Sequence, residues 1–227
     1  MANGHNHVLR AIAAELAVST ADHPWRVGID SICGAGKSTF ARSLVAAVRD
    51  QGRSAVRVDS DGFHHVRARR RRLQDIDSAR GYYEDAYDFG SLASKVLRPL
   101  GPGGDRRYAT KVHDLVTDEI VTGQAPAIAP TDAVMIFDAT FIQRPELDGL
   151  WDDVVYLHAE ESVALDRGIA RDAANLGGVN RARQAYERRY MAACRIYVDE
   201  RNPAARASIV VDNTDPMLPQ MVRMRSR

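Results

Sequence analysis

The segment GIDSICGAGKS, residues 28–38, decides the fold class of this chain. The residues WRVGID, Trp25–Asp30, lead into it and predict a short strand. Two closely spaced glycines then predict a turn, and residues 38–49 have the apolar spacing of a helix. A strand joined to a helix in this way is typical of α/β proteins with a mostly parallel sheet.

The same turn matches the phosphate-binding pattern G-x-x-x-x-G-K-[ST], except that Ser31 replaces the first glycine. Small residues let consecutive backbone N–H groups point inward around an anion, and the following helix adds its positive end. Lys37 would reach the β- and γ-phosphates of a nucleotide, and the Ser38 hydroxyl would ligate Mg²⁺. We expect the nucleotide to be held by Ser31, Cys33, Gly34, Ala35, Gly36, Lys37, Ser38 and Thr39.

Three features of this loop leave alternatives open. Gly34 and Gly36 could serve only to form a turn between a strand and a helix. The extra side chain of Ser31 is expected to strain the tight backbone or to lower the affinity for phosphate. Cys33 is either a small apolar filler or a thiol whose pKa is lowered by the nearby helix N-terminus.

The rest of the chain continues the alternation of strands and helices. We predict one α/β domain over residues 1–227, a mostly parallel sheet flanked by helices. Further strands are predicted at Ala55–Asp59, 133–137, 154–157 and 209–211, and further helices at 8–16, 89–97, 162–174 and 181–193. Ligands of such sheets bind beyond the carboxyl ends of the strands. Residues 31–38, residues 59–65 and Asp138 all fall at that edge.

Composition narrows the class of function. The chain has 227 residues, 31 basic and 30 acidic, with a net charge of +1. An overall field that would recruit nucleic acid or an anionic membrane is therefore not expected. Cys33 and Cys194 are too few for a disulfide framework and lack metal-ligand spacing. Without a long apolar segment or a signal-like N-terminus, we expect a soluble cytoplasmic protein, as a monomer or a homo-oligomer.

Five motifs spread over most of the chain resemble those of one enzyme family. They are GIDSICGAGKSTFA (28–41), DSDGFHH (59–65), GYYEDAYDF (81–89), LGPGGDRRY (100–108) and VVDNTDP (210–216). In this order they resemble the uridine kinase and phosphoribulokinase group of P-loop kinases, especially bacterial uridine kinase-like proteins. The resemblance implies a nucleoside monophosphate kinase-like fold with a small lid near residues 164–183. It also implies Mg²⁺-dependent transfer of the γ-phosphate of ATP to a hydroxyl of a nucleoside or related small metabolite.

The resemblance also implies roles for acidic residues at the strand ends. Asp61, from the DGF motif, would be the catalytic base, with the neighbouring Asp59 as the alternative. Asp138 follows a buried apolar strand and would hold Mg²⁺ directly or through water, unless it only caps the strand. Lys37 would act in catalysis as well as in binding.

Two arginines and one turn complete the expected nucleotide site. Arg167 and Arg171 lie four residues apart on one predicted helix face and match the arginine-bearing lid of the family. There they would stabilise charge on the transferred phosphoryl group, or else form a solvated face paired with neighbouring aspartates. Asn213 and Thr214 match the adenine-side turn of the family.

The acceptor side departs from the family pattern. His64, Tyr82 and Tyr83 are expected to contact the substrate, although the tyrosines could equally be core or rim aromatics. Relatives carry an Asp-His-Arg cluster where this chain has DLV, residues 114–116, and a shifted alignment would bring in His113. Since polar contacts are lost, we expect uridine and cytidine to be weak acceptors. Pantothenate or a sugar phosphate is the alternative.

Two further hypotheses belong to other functional classes. The run RARRRR, residues 67–72, is either a solvated loop, an RNA-binding element or an attractor for an anionic substrate. Ser31, the lost acceptor residues, and Ala139 in place of a family glycine would fit a nucleotide-binding protein without catalytic activity.

Overall fold

The computed structural model describes residues 3–225, and its centre is a six-stranded sheet. The strands are β1 Trp25–Asp30, β2 Ala55–Asp59, β3 Arg107–Tyr108, β4 His113–Asp114, β5 Glu119–Ile120, β6 Ala127–Ile128, β7 Val134–Asp138, β8 Asp153–His158, β9 Ile209–Asp212 and β10 Gln220–Met224. The order of the strands in the central sheet is β10-β9-β8-β1-β7-β2. The five strands from β9 to β2 are parallel, and β10 pairs antiparallel with β9. Two small antiparallel ribbons, β3 with β6 and β4 with β5, lie outside this sheet.

Helices flank the sheet on both faces. They are α1 Asn3–Val18, α2 Lys37–Asp50, α3 Arg67–Arg70, α4 Ser78–Asp85, α5 Phe89–Leu92, α6 Glu161–Asp172, α7 Val179–Ala185, α8 Met191–Arg201 and α9 Pro203–Arg206. Short 3₁₀ turns occur at Ser60–Phe63 and Pro145–Leu147. Two π-helical turns, Ala93–Leu97 and Tyr186–Tyr190, continue α5 and join α7 to α8.

The sheet separates two apolar clusters, which explains why its strands have continuous apolar sequences. Along β7, Val134 and Ile136 pack toward α1 and α2, whereas Met135 and Phe137 pack toward the opposite layer. Successive strand residues point to opposite faces, so a strand covered on both faces needs apolar residues at every position. The predicted α/β fold class is confirmed.

The structure extends or shortens several predicted helices. The helix predicted over residues 181–193 runs on to Arg201, because the π-helical turn keeps the chain helical between α7 and α8. The arginine run includes a single helical turn, α3, instead of a wholly irregular loop. The lid predicted near residues 164–183 covers most of α6 and the start of α7, and its motion stays a prediction. Within residues 3–225, no helix combines the length and apolar character needed to cross a membrane.

Candidate active site

The phosphate loop, residues 31–38, connects the end of β1 to the start of α2 and needs glycine at two positions. Gly34 and Gly36 have φ values of 79° and 93°, where a side chain is strained. A Cβ on Gly34 would also lie 2.0 Å from the Ala164 carbonyl oxygen of α6. The local sequence therefore fixes both the curvature of the loop and its close approach to α6.

Ser31 does not strain this loop, so that part of the sequence-based expectation was wrong. The backbone of Ser31 does not have a positive φ, so this position does not require glycine. Its hydroxyl donates a hydrogen bond to the Ile32 carbonyl over 2.8 Å. The Lys37 ammonium lies 3.1 Å from the Ser31 hydroxyl oxygen and 2.9 Å from the Ile32 carbonyl oxygen. The serine thus helps to hold Lys37 across the loop.

Three charged residues meet at the carboxyl ends of β2 and β7, where Asp59 and Asp138 are register partners. Arg57 donates from Nε to one oxygen of the buried Asp138 carboxylate over 2.9 Å and lies 2.7 Å from Asp59. Burial raises the pKa of Asp138, while the Ser38 hydroxyl and the Arg57 guanidinium oppose that rise. Sequence reasoning missed Arg57, although its spacing of two from Asp59 on a strand places both on one face.

The oxygen donors beside the phosphate loop fit a magnesium ion. The second carboxylate oxygen of Asp138 is buried and has no hydrogen-bond partner, and the Ser38 hydroxyl lies close to this carboxylate. A hard cation prefers such oxygen ligands and usually keeps several waters. Among the described residues, no group of three His, Cys, Asp or Glu side chains could hold a metal. Further ligands would therefore come from water and phosphate.

Asp59 and Asp61 have different surroundings although they are two residues apart. Asp59 caps the 3₁₀ turn by accepting a hydrogen bond from the Asp61 backbone N–H over 3.1 Å. The Asp61 side chain is 72% exposed and makes no such bond. Partial burial and the charges of Asp59 and Asp138 raise the pKa of Asp61. The Asp59 side chain is 54% exposed, so Asp61 is the more open of the two carboxylates and the one without a side-chain hydrogen bond.

Asp61 lines a cavity of about 660 Å³, here called the Asp61 cavity. Sequence reasoning had named Asp61, His113 and the DLV segment, and the structure brings them together. Buried His113 contacts Asp118 through Nε2 at 3.2 Å, and its Nδ1 has no partner. Lys111 and Asn175 were missed, because they carry no motif. The lining consists of Asp61, Gly62, Lys111, His113, Asp114, Leu115, Val116 and Asn175.

His64 lies directly beside Asp61. Its Nε2 is 3.9 Å from an Asp61 carboxylate oxygen, and its ring stacks on Tyr87 with centroids 4.4 Å apart. Burial lowers the pKa of His64 to about 4, so the imidazole is neutral near pH 7. The nitrogen Nδ1 lies 2.8 Å from the Ala86 carbonyl oxygen, an acceptor, and this fixes the orientation of the ring.

The two neighbouring tyrosines of α4 have different positions. The Tyr82 hydroxyl lies 3.8 Å from Cys33 Sγ, so Tyr82 contacts the phosphate loop. Tyr83 is buried, packs edge-on against Phe141 at 5.2 Å and lies under the Arg144 guanidinium. None of His64, Tyr82 and Tyr83 lines the Asp61 cavity, and their contact with the substrate stays a prediction. Adjacent helical residues point about 100° apart, so the two rings have different surroundings, although both pack edge-on against Phe141.

The family of this chain is shown by a match to a protein-family model. The model named Phosphoribulokinase / Uridine kinase family matches residues 27–214, which is most of the chain. The chain belongs to this family. As a member of the phosphoribulokinase/uridine kinase family, it is a P-loop kinase, and the resemblance inferred from the motifs is confirmed.

Solved structures share the fold of this kinase. A possible uridine kinase from Bacillus stearothermophilus is 21% identical, with a TM-score of 0.69, over 89% of this chain and 96% of that chain. D-glycerate 3-kinase from Cryptococcus neoformans is 13% identical, with a TM-score of 0.51, over 84% of this chain and 85% of that one. At these identities the likeness establishes the fold alone. No curated protein has significant sequence similarity to this chain.

The two arginines predicted to belong to a lid have different partners. Arg167 donates to the backbone carbonyls of Asn213 and Thr214, and therefore holds the predicted adenine-side turn. The long Arg167 side chain thus reaches the turn after β9, and the action of both arginines on the phosphates stays a prediction. Arg171 pairs with Asp172 at 2.9 Å, and its charge opposes the rise in the pKa of Asp61. The Arg171 guanidinium also donates to the Tyr186 hydroxyl over 3.0 Å, so in this structure its direct partners are Asp172 and Tyr186.

Asn213 ties the adenine-side turn to the phosphate loop. Its side-chain N–H donates to the Ala35 carbonyl over 2.8 Å, and the amide nitrogen would lie 3.1 Å from a Cβ on Gly36. The Thr214 hydroxyl accepts a hydrogen bond from the Glu160 N–H over 3.1 Å. The two residues therefore connect the turn after β9 to the phosphate loop and to the residue just before α6.

Cys33 and Cys194 are free, buried and in contact with each other. The Cys33 N–H donates to Cys194 Sγ over 3.3 Å. The Cys194 thiol lowers the pKa of Cys33 to about 6, and the Lys37 ammonium acts in the same direction. Burial and the neighbouring Cys33 raise the pKa of Cys194. The lowered pKa that sequence reasoning offered for Cys33 thus arises mainly from a residue 161 positions away.

Proposed function

We propose that this P-loop kinase transfers the γ-phosphate of ATP to a hydroxyl of a small metabolite, with Asp61 as the catalytic base. The observation that carries this proposal is the position of the Asp61 carboxylate. This carboxylate lines the Asp61 cavity, and the charge of Asp138 raises its pKa. Asp138 in turn lies beside Lys37 and Ser38 of the phosphate loop. A hydroxyl bound in that cavity would meet the γ-phosphate on one side and a proton acceptor on the other.

The chain's own residues would divide the work as follows. Backbone N–H groups of the phosphate loop and the Lys37 ammonium bind the phosphates, and Asn213 and Thr214 shape the adenine side. A magnesium ion held by Ser38 and Asp138 would supply neutralisation of phosphate charge. Asp61 accepts the proton of the acceptor hydroxyl, and Arg171, whose charge acts on Asp61, would help to balance charge on the transferred group.

The acceptor is proposed from the lining of the Asp61 cavity. Leu115 and Val116 offer no hydrogen bonds from their side chains, whereas Lys111, His113 and Asn175 do. A site without the family's full polar cluster should discriminate poorly in favour of a nucleoside base. We therefore propose a hydroxylated metabolite other than uridine or cytidine, for example pantothenate or a sugar phosphate.

The catalytically silent alternative loses its main support. Ala139 has no positive φ, and its N–H donates to the Ile29 carbonyl over 3.2 Å, so this position does not require glycine. Ser31 is likewise unstrained. Neither departure from the family pattern disturbs the phosphate loop.

The proposal is tested by measuring ADP release from Mg-ATP with and without a panel of nucleosides, pantothenate and sugar phosphates. Acceptor-dependent ADP release is expected. Lys37→Ala should lower kcat/KM by roughly a hundredfold or more, because it removes the charge at the β- and γ-phosphates. Lys95→Ala is the matched control, because Lys95 is exposed and lines a different cavity, which contains no residue of the phosphate loop. Equal activity of both variants would contradict the assignment of the loop.

Uridine provides the sharpest outcome for the acceptor. A uridine kcat/KM of roughly 10⁴ M⁻¹s⁻¹ or more would contradict the predicted weak use of nucleosides while leaving the kinase assignment intact. In that case His113→Ala is the next variant, because His113 lines the cavity and has an unpartnered Nδ1.

A further inference from the structure

A second cavity, of about 610 Å³, lies between the arginine run and the helix that contains the π-helical turn. One wall is α3 with the start of α4, and the other is the end of the predicted lid with α7 and the π-helical turn. Five of its lining residues are arginines and one is an aspartate, and we call it the arginine cavity. The charged lining residues are Arg70, Arg71, Arg181, Arg188, Arg189 and Asp75.

The arginine run divides into two sets with different partners. Arg69 and Arg72 pair with the buried Asp85 at 3.2 and 2.9 Å. Arg70 and Arg71 line the arginine cavity instead, and of these two only Arg70 has an acidic partner, Asp118 at 3.2 Å, which lies outside the lining of the cavity. The run is therefore no uniform solvated loop, and one of its halves is built into a concave surface.

Positive charge in the arginine cavity is poorly compensated. Among the side chains of residues 7–225, no carboxylate lies within 4 Å of the guanidinium groups of Arg71, Arg181, Arg188 and Arg189. Arg189 is held by the Ser78 hydroxyl at 3.2 Å and the Arg70 carbonyl at 2.9 Å, which are both neutral groups. Guanidinium groups stay charged at every relevant pH, so the arginine cavity keeps a local excess of positive charge that a bound anion would neutralise.

We propose that the arginine cavity binds the phosphate group of a small organic phosphate. Guanidinium groups bind phosphate in a bidentate manner, and the cavity has the volume of a small-ligand site. Its walls come from two separate segments that face each other, which suits a compact ligand better than an extended nucleic acid. A bound phosphate would bridge the arginine run to the end of the lid.

This site is distinct from the phosphate loop and goes beyond the proposed kinase activity. Tyr190 lines the arginine cavity, and its ring packs against Tyr82 with centroids 4.9 Å apart. Tyr82 in turn contacts Cys33 of the phosphate loop at 3.8 Å. The two tyrosine rings therefore connect the arginine cavity to the phosphate loop. The ligand is either an acceptor that already carries a phosphate or a separate effector, and both present the same chemistry to the arginines.

The binding test uses inorganic pyrophosphate as the probe and isothermal titration calorimetry as the readout. It is done on Lys37→Ala, which impairs the phosphate loop, and on the unaltered protein saturated with Mg²⁺ and a non-hydrolysable ATP analogue. One pyrophosphate site is expected to remain in both. Because the Lys37→Ala arm needs no nucleotide binding, failure of the kinase proposal and failure of this one are distinguishable.

Matched variants place that site. Arg71→Ala and Arg188→Ala, introduced together into either protein, should weaken pyrophosphate binding about tenfold or more, since two guanidinium contacts are lost. Arg183→Ala should change the affinity less than about twofold. Arg183 lies in α7, which continues into the π-helical turn that contains Arg188, but it pairs with Asp166 and Glu187 outside the cavity. All three side chains are exposed, and thermal melting verifies that the variants fold. Equal affinity in the double variant and the control would overturn the proposal, as would binding of an RNA oligonucleotide without binding of pyrophosphate.

Two kinetic arms then distinguish the source of the phosphate. If the acceptor carries it, the double variant raises KM for a sugar phosphate and leaves kcat and the KM of an unphosphorylated acceptor unchanged. If an effector carries it, pyrophosphate changes the rate with an unphosphorylated acceptor, and the double variant abolishes that change. Either pattern supports the site, whereas kinetics identical to those of Arg183→Ala in both arms contradict it.

Discussion

At the scale of single residues, two aspartates in one short turn have become chemically different. Asp59 is occupied by the Asp61 N–H and by the Arg57 guanidinium, so it orders the turn. Asp61 remains open to the Asp61 cavity with a raised pKa. A base with a raised pKa holds the transferred proton more strongly, which favours proton abstraction near neutral pH.

Asp61→Asn should lower kcat by roughly a hundredfold or more with little change in nucleotide affinity, because the amide keeps the size but accepts no proton. Steady-state kinetics and nucleotide titration measure the two effects. In the unaltered enzyme, kcat/KM should decline as the pH falls through the raised pKa of Asp61, where the carboxylate becomes protonated. Asp59→Asn is the matched control, and a larger kcat loss there than in Asp61→Asn would show that the wrong carboxylate was chosen.

At the scale of elements, the phosphate loop and α6 are in van der Waals contact. Gly34 has a left-handed backbone, and a Cβ at this position would overlap the Ala164 carbonyl. Gly52, just after α2, has a similar φ of 82° but no atom within 4 Å of its Cβ position. The two glycines therefore separate the effect of backbone strain from the effect of a steric clash.

Gly52→Ala should lower the free energy of unfolding by about 1 kcal/mol, since the only cost of an alanine there is the strain of a left-handed backbone. Gly34→Ala should cost more than this and should also weaken nucleotide binding, because α6 or the loop must move. Urea unfolding and nucleotide titration measure the two quantities. Equal destabilisation by both substitutions, with nucleotide affinity intact, would contradict the contact between the loop and α6.

At the scale of the whole molecule, a buried carboxylate connects the sheet to the helical layer. Asp30, the last residue of β1, accepts hydrogen bonds from the Tyr197 hydroxyl of α8 and from the Gln143 side chain. Burial raises the pKa of Asp30 to about 6, and its second oxygen has no partner. The protonated form is thus favoured in the folded protein relative to the unfolded chain.

Asp30 should make stability depend on pH between about 4 and 6. Within that window the folded state binds more protons than the unfolded state, so the free energy of unfolding falls as the pH rises. Asp30→Asn removes the titrating group. The free energy of unfolding of this variant minus that of the unaltered protein should therefore rise by roughly 2 to 3 kcal/mol from pH 4 to pH 6.5. Urea unfolding at several pH values measures the difference. Parallel pH profiles for the two proteins would exclude a raised pKa for Asp30.

The sequence by itself determined the fold class, the family and the positions of the phosphate loop, Asp61 and Asp138. These depend on short-range information. A strand covered on both faces must be apolar throughout, a loop that curves around phosphate needs glycines, and polar residues just after parallel strands must share one edge. Each of these rules acts within a few residues, so the order of residues alone is enough to apply them.

Only the tertiary structure decided which side chains meet. Arg57 lies between Asp59 and Asp138 because β2 and β7 are neighbours in the sheet, although 79 positions separate those aspartates in the sequence. Tyr83 turns into the core and Arg167 reaches the turn after β9, because packing partners choose among the directions that a helix offers. The arginine cavity exists because α3 and α7 face each other. Such contacts depend on how distant segments pack, and no local pattern records that packing.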